Sequence, residues 1–109
     1  VAVVHDDPTA ALDAVRPGLA WIGEPDWAPH LVGLDFAQEL ATFRDAAAGP
    51  EEFAATMPAA WVDALTLAGT PEQVRAKIAT RHDAGATCVV LTPVGADRSA
   101  QLELLARVL

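Results

Sequence analysis

Two stretches of the chain are apolar without interruption, and the stretches between them have helical spacing. Residues 1–4 read Val-Ala-Val-Val, and residues 88–91 read Cys-Val-Val-Leu. Apolar runs without polar alternation are typical of strands that are covered on both faces in a parallel sheet. We therefore predict two buried strands, over residues 1–4 and 87–91. Two strands leave outer edges open, so we expect them to pair with strands outside this sequence or with another chain.

The strongest helix signal precedes the second apolar run. Thr70 can accept a hydrogen bond from an unpaired amide, Pro71 presets the first helical φ, and Gln73 can close a capping box. Val74 and Ile78 lie four residues apart and form a narrow apolar stripe. Gly85 supplies the left-handed residue that ends the helix. A helix, a glycine, a buried strand and another helix follow the order that is typical of α/β proteins.

The segment 8–67 is predicted to be a helical insertion between the two strands. Asp7 should cap its first helix, and Pro17 with Gly18 should kink that helix near its end. Asp26 and Asp35 are expected to cap two further helices. Additional helices are predicted from residue 51 and over residues 59–67, and Asp97 should cap a terminal helix after the second strand.

Composition restricts the classes of function. The 109 residues carry a net charge of −8, and residues 1–70 hold eleven acids against two arginines, Arg16 and Arg44. We therefore expect no nucleic-acid partner. No apolar run approaches the roughly 20 residues that span a bilayer, and no charged-then-apolar signal opens the chain, so we expect no membrane partner and a cytoplasmic protein.

No metal site is expected from the spacing of the potential ligands. His30 and His82 have no second ligand at metal-binding distance along the chain, and Cys88 is the only cysteine. Cys88 also falls within the predicted buried strand, where it would act as a small apolar residue.

Three long stretches together resemble the luciferase-like monooxygenase superfamily, and in order and spacing its F420-dependent branch. They are residues 1–23, beginning Val-Ala-Val-Val-His-Asp-Asp-Pro; residues 30–49; and residues 57–93, which contain Gly-Thr-Pro-Glu and end Leu-Thr-Pro. The resemblance implies an α/β fold that is the C-terminal part of a (β/α)8 TIM barrel, with residues 1–4 as the seventh strand and 87–91 as the eighth. Residues 1–109 would then be roughly the last third of an enzyme and inactive alone.

The resemblance implies hydride transfer between the deazaflavin F420 and a small organic substrate, with FMN as the alternative cofactor. No catalytic or cofactor-binding residue can be carried over, because the family holds its cofactor mainly on loops after earlier strands. Barrel geometry places the catalytic mouth at the carboxyl ends of the strands. The residues predicted to lie on the substrate side of that mouth are His5, Asp6, Thr92, Pro93 and Gly95.

Other interpretations of these residues remain open. His5 could orient a substrate or move a proton, or it could be a polar residue at a strand end. Aromatic residues in the helical segment could line a flat ligand pocket or pack on one another; they are Trp21, Trp27, Phe36, Phe43 and Trp61. The whole chain could also be a non-catalytic α/β binding or assembly module, whose strand edges a homodimer would cover.

Overall fold

Two short parallel strands form the sheet between the helices. The computed structural model describes residues 1–109, with β1 over Ala2–Val4 and β2 over Leu67–Gly69. Ala2 pairs with Leu67 and Val4 with Gly69. The first strand confirms the prediction over residues 1–4, and the fold is mixed α/β and mostly helical. Two strands do not make a barrel, so the (β/α)8 architecture remains an expectation.

Six α-helices and two 3₁₀ helices make up most of the remaining chain. The helices are α1 (Pro8–Val15), α2 (Ala37–Ala46), α3 (Pro50–Thr56), α4 (Ala59–Leu65), α5 (Pro71–Asp83) and α6 (Arg98–Val108). The 3₁₀ helices cover Arg16–Leu19 and Pro25–Leu31. None of these helices is long and apolar enough to cross a bilayer.

The sheet is covered on both faces by separate apolar clusters. Val3 and Ala68 contribute to one cluster, which includes Phe53, Leu40 and residues of α1 and α4. Ala2 and Val4 contribute to the other cluster, together with residues of α5 and α6. Successive residues of a strand point to opposite faces, so three residues of β1 supply both clusters.

Three of the predicted helix caps are confirmed. Asp7 Oδ1 accepts from the amide of Thr9 at 2.9 Å, and Asp97 Oδ1 accepts from the amide of Ala100 at 3.0 Å. Thr70 forms the complete capping box with Gln73. The polypeptide changes from α1 to a 3₁₀ helix at Arg16, next to Pro17. Gly85 follows the C-cap residue Ala84 of α5 and has a φ of 107°.

The caps predicted at Asp26 and Asp35 are wrong. Asp26 lies inside the 3₁₀ helix Pro25–Leu31, whose first flanking residue is Glu24, and α2 begins after Phe36. Neither helix has a side-chain cap. Pro25 fixes the first φ of the 3₁₀ helix, and Phe36, which occupies the position before α2, has no side-chain oxygen that could cap it.

The prediction of a buried strand over residues 87–91 is wrong for this structure. Those residues form no strand, Cys88 is exposed, and Val90 is 79% exposed. Their backbone groups make no hydrogen bond within the chain. Val89 and Leu91 nevertheless pack against the second apolar cluster. Side chains of this segment thus alternate between exposed and partly buried, as in a strand, but its backbone has no neighbouring strand with which to form hydrogen bonds.

The second strand of the sheet lies elsewhere, over Leu67–Gly69. The helix predicted over residues 59–67 ends at Leu65, and Leu67 already belongs to β2. Leu-Ala-Gly is short and has no β-branched residue, so neither length nor propensity marks it as a strand. Its strand conformation therefore depends on pairing with β1, which is distant along the chain, and not on a local sequence signal.

Aromatic packing occurs within the helical segment. The rings of Phe36 and Trp61 stack at 5.3 Å, and Phe43 contacts both Trp61 and Phe53. Trp21 and Trp27 do not join this group and are 58% and 43% exposed. Packing therefore accounts for three of the five aromatic residues.

Candidate functional site

Three chain segments pass from extended backbone into a helix at the same edge of the sheet. β1 leads through His5 and Asp6 into α1, and β2 leads through Thr70 into α5. The third segment, residues 92–94, runs parallel to β1 on its other side and leads into α6. The carboxyl edge of the sheet is where ligands bind in open and closed α/β folds. This edge of the sheet is the candidate site.

His5 lies directly at the carboxyl end of β1 and is exposed. Its backbone amide donates to the carbonyl oxygen of Gly69 at 3.1 Å, which continues the pairing with β2. The amide of Asp7 donates to His5 Nδ1 at 2.9 Å. Because Nδ1 accepts this bond, the neutral ring carries its proton on Nε2. His5 therefore presents an Nε2–H donor on a ring whose orientation is fixed.

The two acids beside His5 have different roles. Asp7 is occupied by its capping bond to Thr9, whereas Asp6 is exposed and makes no hydrogen bond or ion pair through its side chain. His5 and Asp6 are thus the two predicted site residues that the fold places together at the end of β1.

Thr92 and Pro93 lie beside the start of β1, whereas the prediction placed them at its carboxyl end. The carbonyl oxygen of Thr92 accepts from the amide of Ala2 at 2.8 Å, and the amide of Val94 donates to the carbonyl oxygen of Ala2 at 3.2 Å. Ala2 precedes His5 by three residues, which is about 10 Å along a strand. The structure therefore does not bring Thr92 and Pro93 to the level of His5.

Gly95 ends this third extended segment. It has a φ of 130°, and an added Cβ would meet no atom within 4 Å. The positive φ turns the chain away from β1 toward Asp97 and α6, which leaves the carboxyl end of β1 without a backbone partner on that side. Gly95 itself is exposed and faces open space.

Gln101 replaces the missing backbone partner. Its Oε1 accepts from the amide of Val4 at 3.0 Å, and its Nε2 donates to the carbonyl oxygen of Val4 at 3.2 Å. A side-chain amide has the same donor and acceptor as a peptide group, so it can satisfy both groups of one residue. Gln101 thereby fixes the peptide next to His5. Sequence reasoning missed it, because a glutamine in the first turns of an amphipathic helix gives no signal of a partner 97 residues away.

The charges at this edge are mainly negative. Asp6, Asp7, Glu72 and Asp97 lie at the junctions, and Arg98 is the one base among them. The three ion pairs of the protein, Arg16–Asp13, Arg44–Glu24 and Lys77–Asp63, all lie elsewhere. No group of three or more potential metal ligands occurs in the structure. This edge therefore offers hydrogen bonding only: His5 Nε2–H can donate a hydrogen bond, the Asp6 carboxylate can accept one, and backbone groups near Gly95 can do either.

Comparison with known proteins gives one match. The model of the family described as luciferase-like monooxygenase matches residues 1–88, which include β1, β2 and α5. No curated protein and no solved structure matches the chain at a significant level.

Proposed function

The chain belongs to the luciferase-like monooxygenase family, and on that premise we propose that it forms the last part of a (β/α)8 barrel oxidoreductase. The enzyme would transfer hydride between the deazaflavin F420 and a small organic substrate. FMN with oxygen as cosubstrate is the alternative within the same family. The observation that carries the proposal is the family match over residues 1–88.

The arrangement of the sheet supports the barrel part of the proposal. β1 has a parallel neighbour on each side, namely β2 and residues 92–94, and its two faces are covered by helices. Parallel strands covered on both faces are typical of α/β folds and barrels. The unpaired backbone of residues 87–91 is suited to pairing with a further strand of a larger sheet.

The residues at the carboxyl edge do not fit a complete F420 or FMN molecule. Both cofactors carry phosphate, whereas the charged side chains at the three junctions are four acids, Asp6, Asp7, Glu72 and Asp97, and a single base, Arg98, so the edge as a whole would repel an anion. We therefore assign the phosphate contacts of the cofactor to other parts of the enzyme, and assign no redox step to residues of this chain.

The proposed role of His5 and Asp6 is to position the substrate. His5 offers a donor at Nε2, and Asp6 offers acceptors beside it. An exposed donor and acceptor at the end of one strand suit a small organic molecule with a hydroxyl or carbonyl group. Gln101 would act as a positioning residue, because it fixes the peptide that precedes His5.

Cofactor titration tests the proposal. The 109-residue chain, and the same chain together with its upstream coding sequence, are titrated with F420 and separately with FMN, followed by fluorescence and size-exclusion chromatography. The proposal expects micromolar F420 binding by the longer protein and none by the 109-residue chain. Preference for FMN in the longer protein would select the alternative cofactor. Micromolar binding by the well-folded 109-residue chain would contradict the assignment of the phosphate contacts to other parts of the enzyme.

One observation favours a second candidate, a non-catalytic α/β binding or assembly module. The outer edge of β2 is covered within the chain, because Lys77 Nζ donates to the carbonyl oxygens of Thr66 and Ala68. Blocked edges are a feature of sheets that do not pair with strands of other chains or of a larger sheet. Cooperative unfolding of the 109-residue chain as a monodisperse species, with no cofactor binding by the longer protein, would favour this candidate.

A further inference from the structure

A cleft lies at the end of α1 that is remote from the carboxyl edge of the sheet. It has a volume of about 900 Å³ and is formed by the end of α1, the following 3₁₀ helix and α3. Pro17, Pro50 and small residues of α3 make up much of its wall. Small and cyclic side chains cannot fold over the opening, so the cleft remains accessible.

The indole of Trp21 lines this cleft and is 58% exposed. It makes no ring contact with the aromatic group around Trp61. An indole face is the best aromatic partner for a cation, because its quadrupole is negative above and below the ring.

The charged groups of the cleft are two carboxylates and one guanidinium. Arg16 is held by the wall itself: Nη1 donates to the carbonyl oxygens of Ala54 and Met57 at 3.2 and 2.6 Å, and Nε donates to Asp13 Oδ1 at 3.3 Å. Its side chain is only 17% exposed, whereas that of Asp13 is 67% exposed. Glu51 makes no ion pair.

The exposed charge of the cleft is therefore negative, and an exposed indole lines the same cleft. An anion would be repelled by both carboxylates. Two carboxylates without a third ligand do not make a metal site, and no group of three potential ligands exists in the structure. A compact organic cation matches both features, because it gains from the ring face and from the carboxylates.

We propose that this cleft, lined by Trp21, Asp13 and Glu51, binds a small organic ammonium ion. The ammonium group lies over the indole, and the carboxylates supply the opposite charge. Arg16 is a structural part of the wall, which it ties to Ala54 and Met57. The site is separate from the carboxyl edge of the sheet and does not depend on the function proposed above.

Choline and its neutral carbon isostere 3,3-dimethylbutan-1-ol test the proposal. Each is titrated into the ¹⁵N-labelled protein at constant ionic strength, and the indole N–H resonance of Trp21 is followed by NMR. We expect saturable shifts with choline at millimolar Kd and at least about fivefold weaker binding of the isostere. Equal binding of the two compounds, or no saturable shift with choline, would overturn the proposal.

Variants separate the cleft from nonspecific binding. Trp21→Leu should weaken choline binding about fivefold or more, and Glu51→Gln should weaken it about twofold to fivefold. Trp27→Leu removes a tryptophan of similar exposure outside the cleft and should leave the affinity unchanged. Affinity that is insensitive to Trp21→Leu, or equally sensitive to Trp27→Leu, would contradict the assignment. All three positions are exposed, so circular dichroism should show unchanged folding.

Discussion

The ammonium nitrogen of Lys77 lies 3.0 Å from the carbonyl oxygen of Ala68, across the outer edge of β2. The same nitrogen is 3.1 Å from the carbonyl oxygen of Asp63 and 2.7 Å from its carboxylate, and it also reaches Thr66. Strand edges with free carbonyls are templates for pairing with other chains, and lysine is a common means of blocking them. One side chain of α5 thus joins α4 to β2 and closes that edge.

Lys77→Met should destabilise the protein and expose this edge. Methionine keeps most of the aliphatic stem but cannot donate, so we expect a loss of about 1–2 kcal/mol in the free energy of unfolding. We also expect concentration-dependent self-association, because the carbonyls of β2 become available. Urea unfolding and sedimentation velocity measure the two effects. Arg81→Met, at an exposed position of the same helix whose side chain makes no hydrogen bond or ion pair, is the matched control, and equal effects of both variants would refute this role.

Gln101→Glu should loosen the end of β1. The carboxylate can still accept from the amide of Val4, but it cannot donate to the carbonyl oxygen of Val4. Leaving that acceptor unpaired costs about 1–3 kcal/mol. Faster hydrogen exchange at the amides of Val4 and His5 is the expected local signature. Gln38→Glu, on the exposed side of α2, makes the same chemical change without this contact and should leave exchange at both amides unaltered.

Gly69→Ala should be strongly destabilising. Gly69 has a φ of 151°, and an added Cβ would lie 2.6 Å from Gln73 Oε1 and 2.9 Å from Gln73 Cβ. The methyl group would therefore disturb the capping box at the start of α5, and we expect a loss of about 2–3 kcal/mol. Thermal unfolding of the two proteins measures this loss of stability. Gly49→Ala meets no atom within 4 Å and has extended backbone, so a comparable loss there would show that the contact with Gln73 is not the cause.

Thr70→Ala should cost about 1 kcal/mol of stability. The hydroxyl oxygen accepts from the amide of Gln73 at 3.3 Å, and its removal leaves that amide unpaired at the helix start. Chemical denaturation with circular dichroism gives the change. Thr87→Ala removes a hydroxyl that makes no hydrogen bond in the exposed segment. A difference of less than a few tenths of a kcal/mol between the variants would contradict the capping role.

Cys88 should react readily with a thiol reagent in the folded 109-residue chain. Its side chain is exposed, and the backbone around it is unpaired. It is the only cysteine, so one equivalent of Ellman's reagent should be consumed without denaturant. Reaction that requires urea would support the buried strand predicted from sequence over residues 87–91. In a longer protein where this segment pairs with another strand, the reaction should slow.

Local signals explain the parts of the fold that were predictable. Asp7, Thr70 and Asp97 each precede a helix at cap spacing, and each caps it, because capping depends on groups within three residues. Apolar residues 1–4 predicted β1 for the same kind of reason, since burial on both faces requires an uninterrupted run. The placement of His5 and Asp6 at the carboxyl end of β1 was predictable because both directly follow that apolar run.

The helix starts capped by Asp7, Thr70 and Asp97, the first strand and the polar residues at its end were predictable from sequence, because each of these depends on neighbours along the chain. Tertiary structure alone decided which segment pairs with β1. A three-residue Leu-Ala-Gly run became β2, while the more apolar residues 88–91 remained unpaired. Strand pairing requires a partner with free backbone groups. Gln101 bonds both backbone groups of Val4 on one side, and Lys77 bonds the outer carbonyl oxygens of Thr66 and Ala68, through contacts that no local pattern encodes.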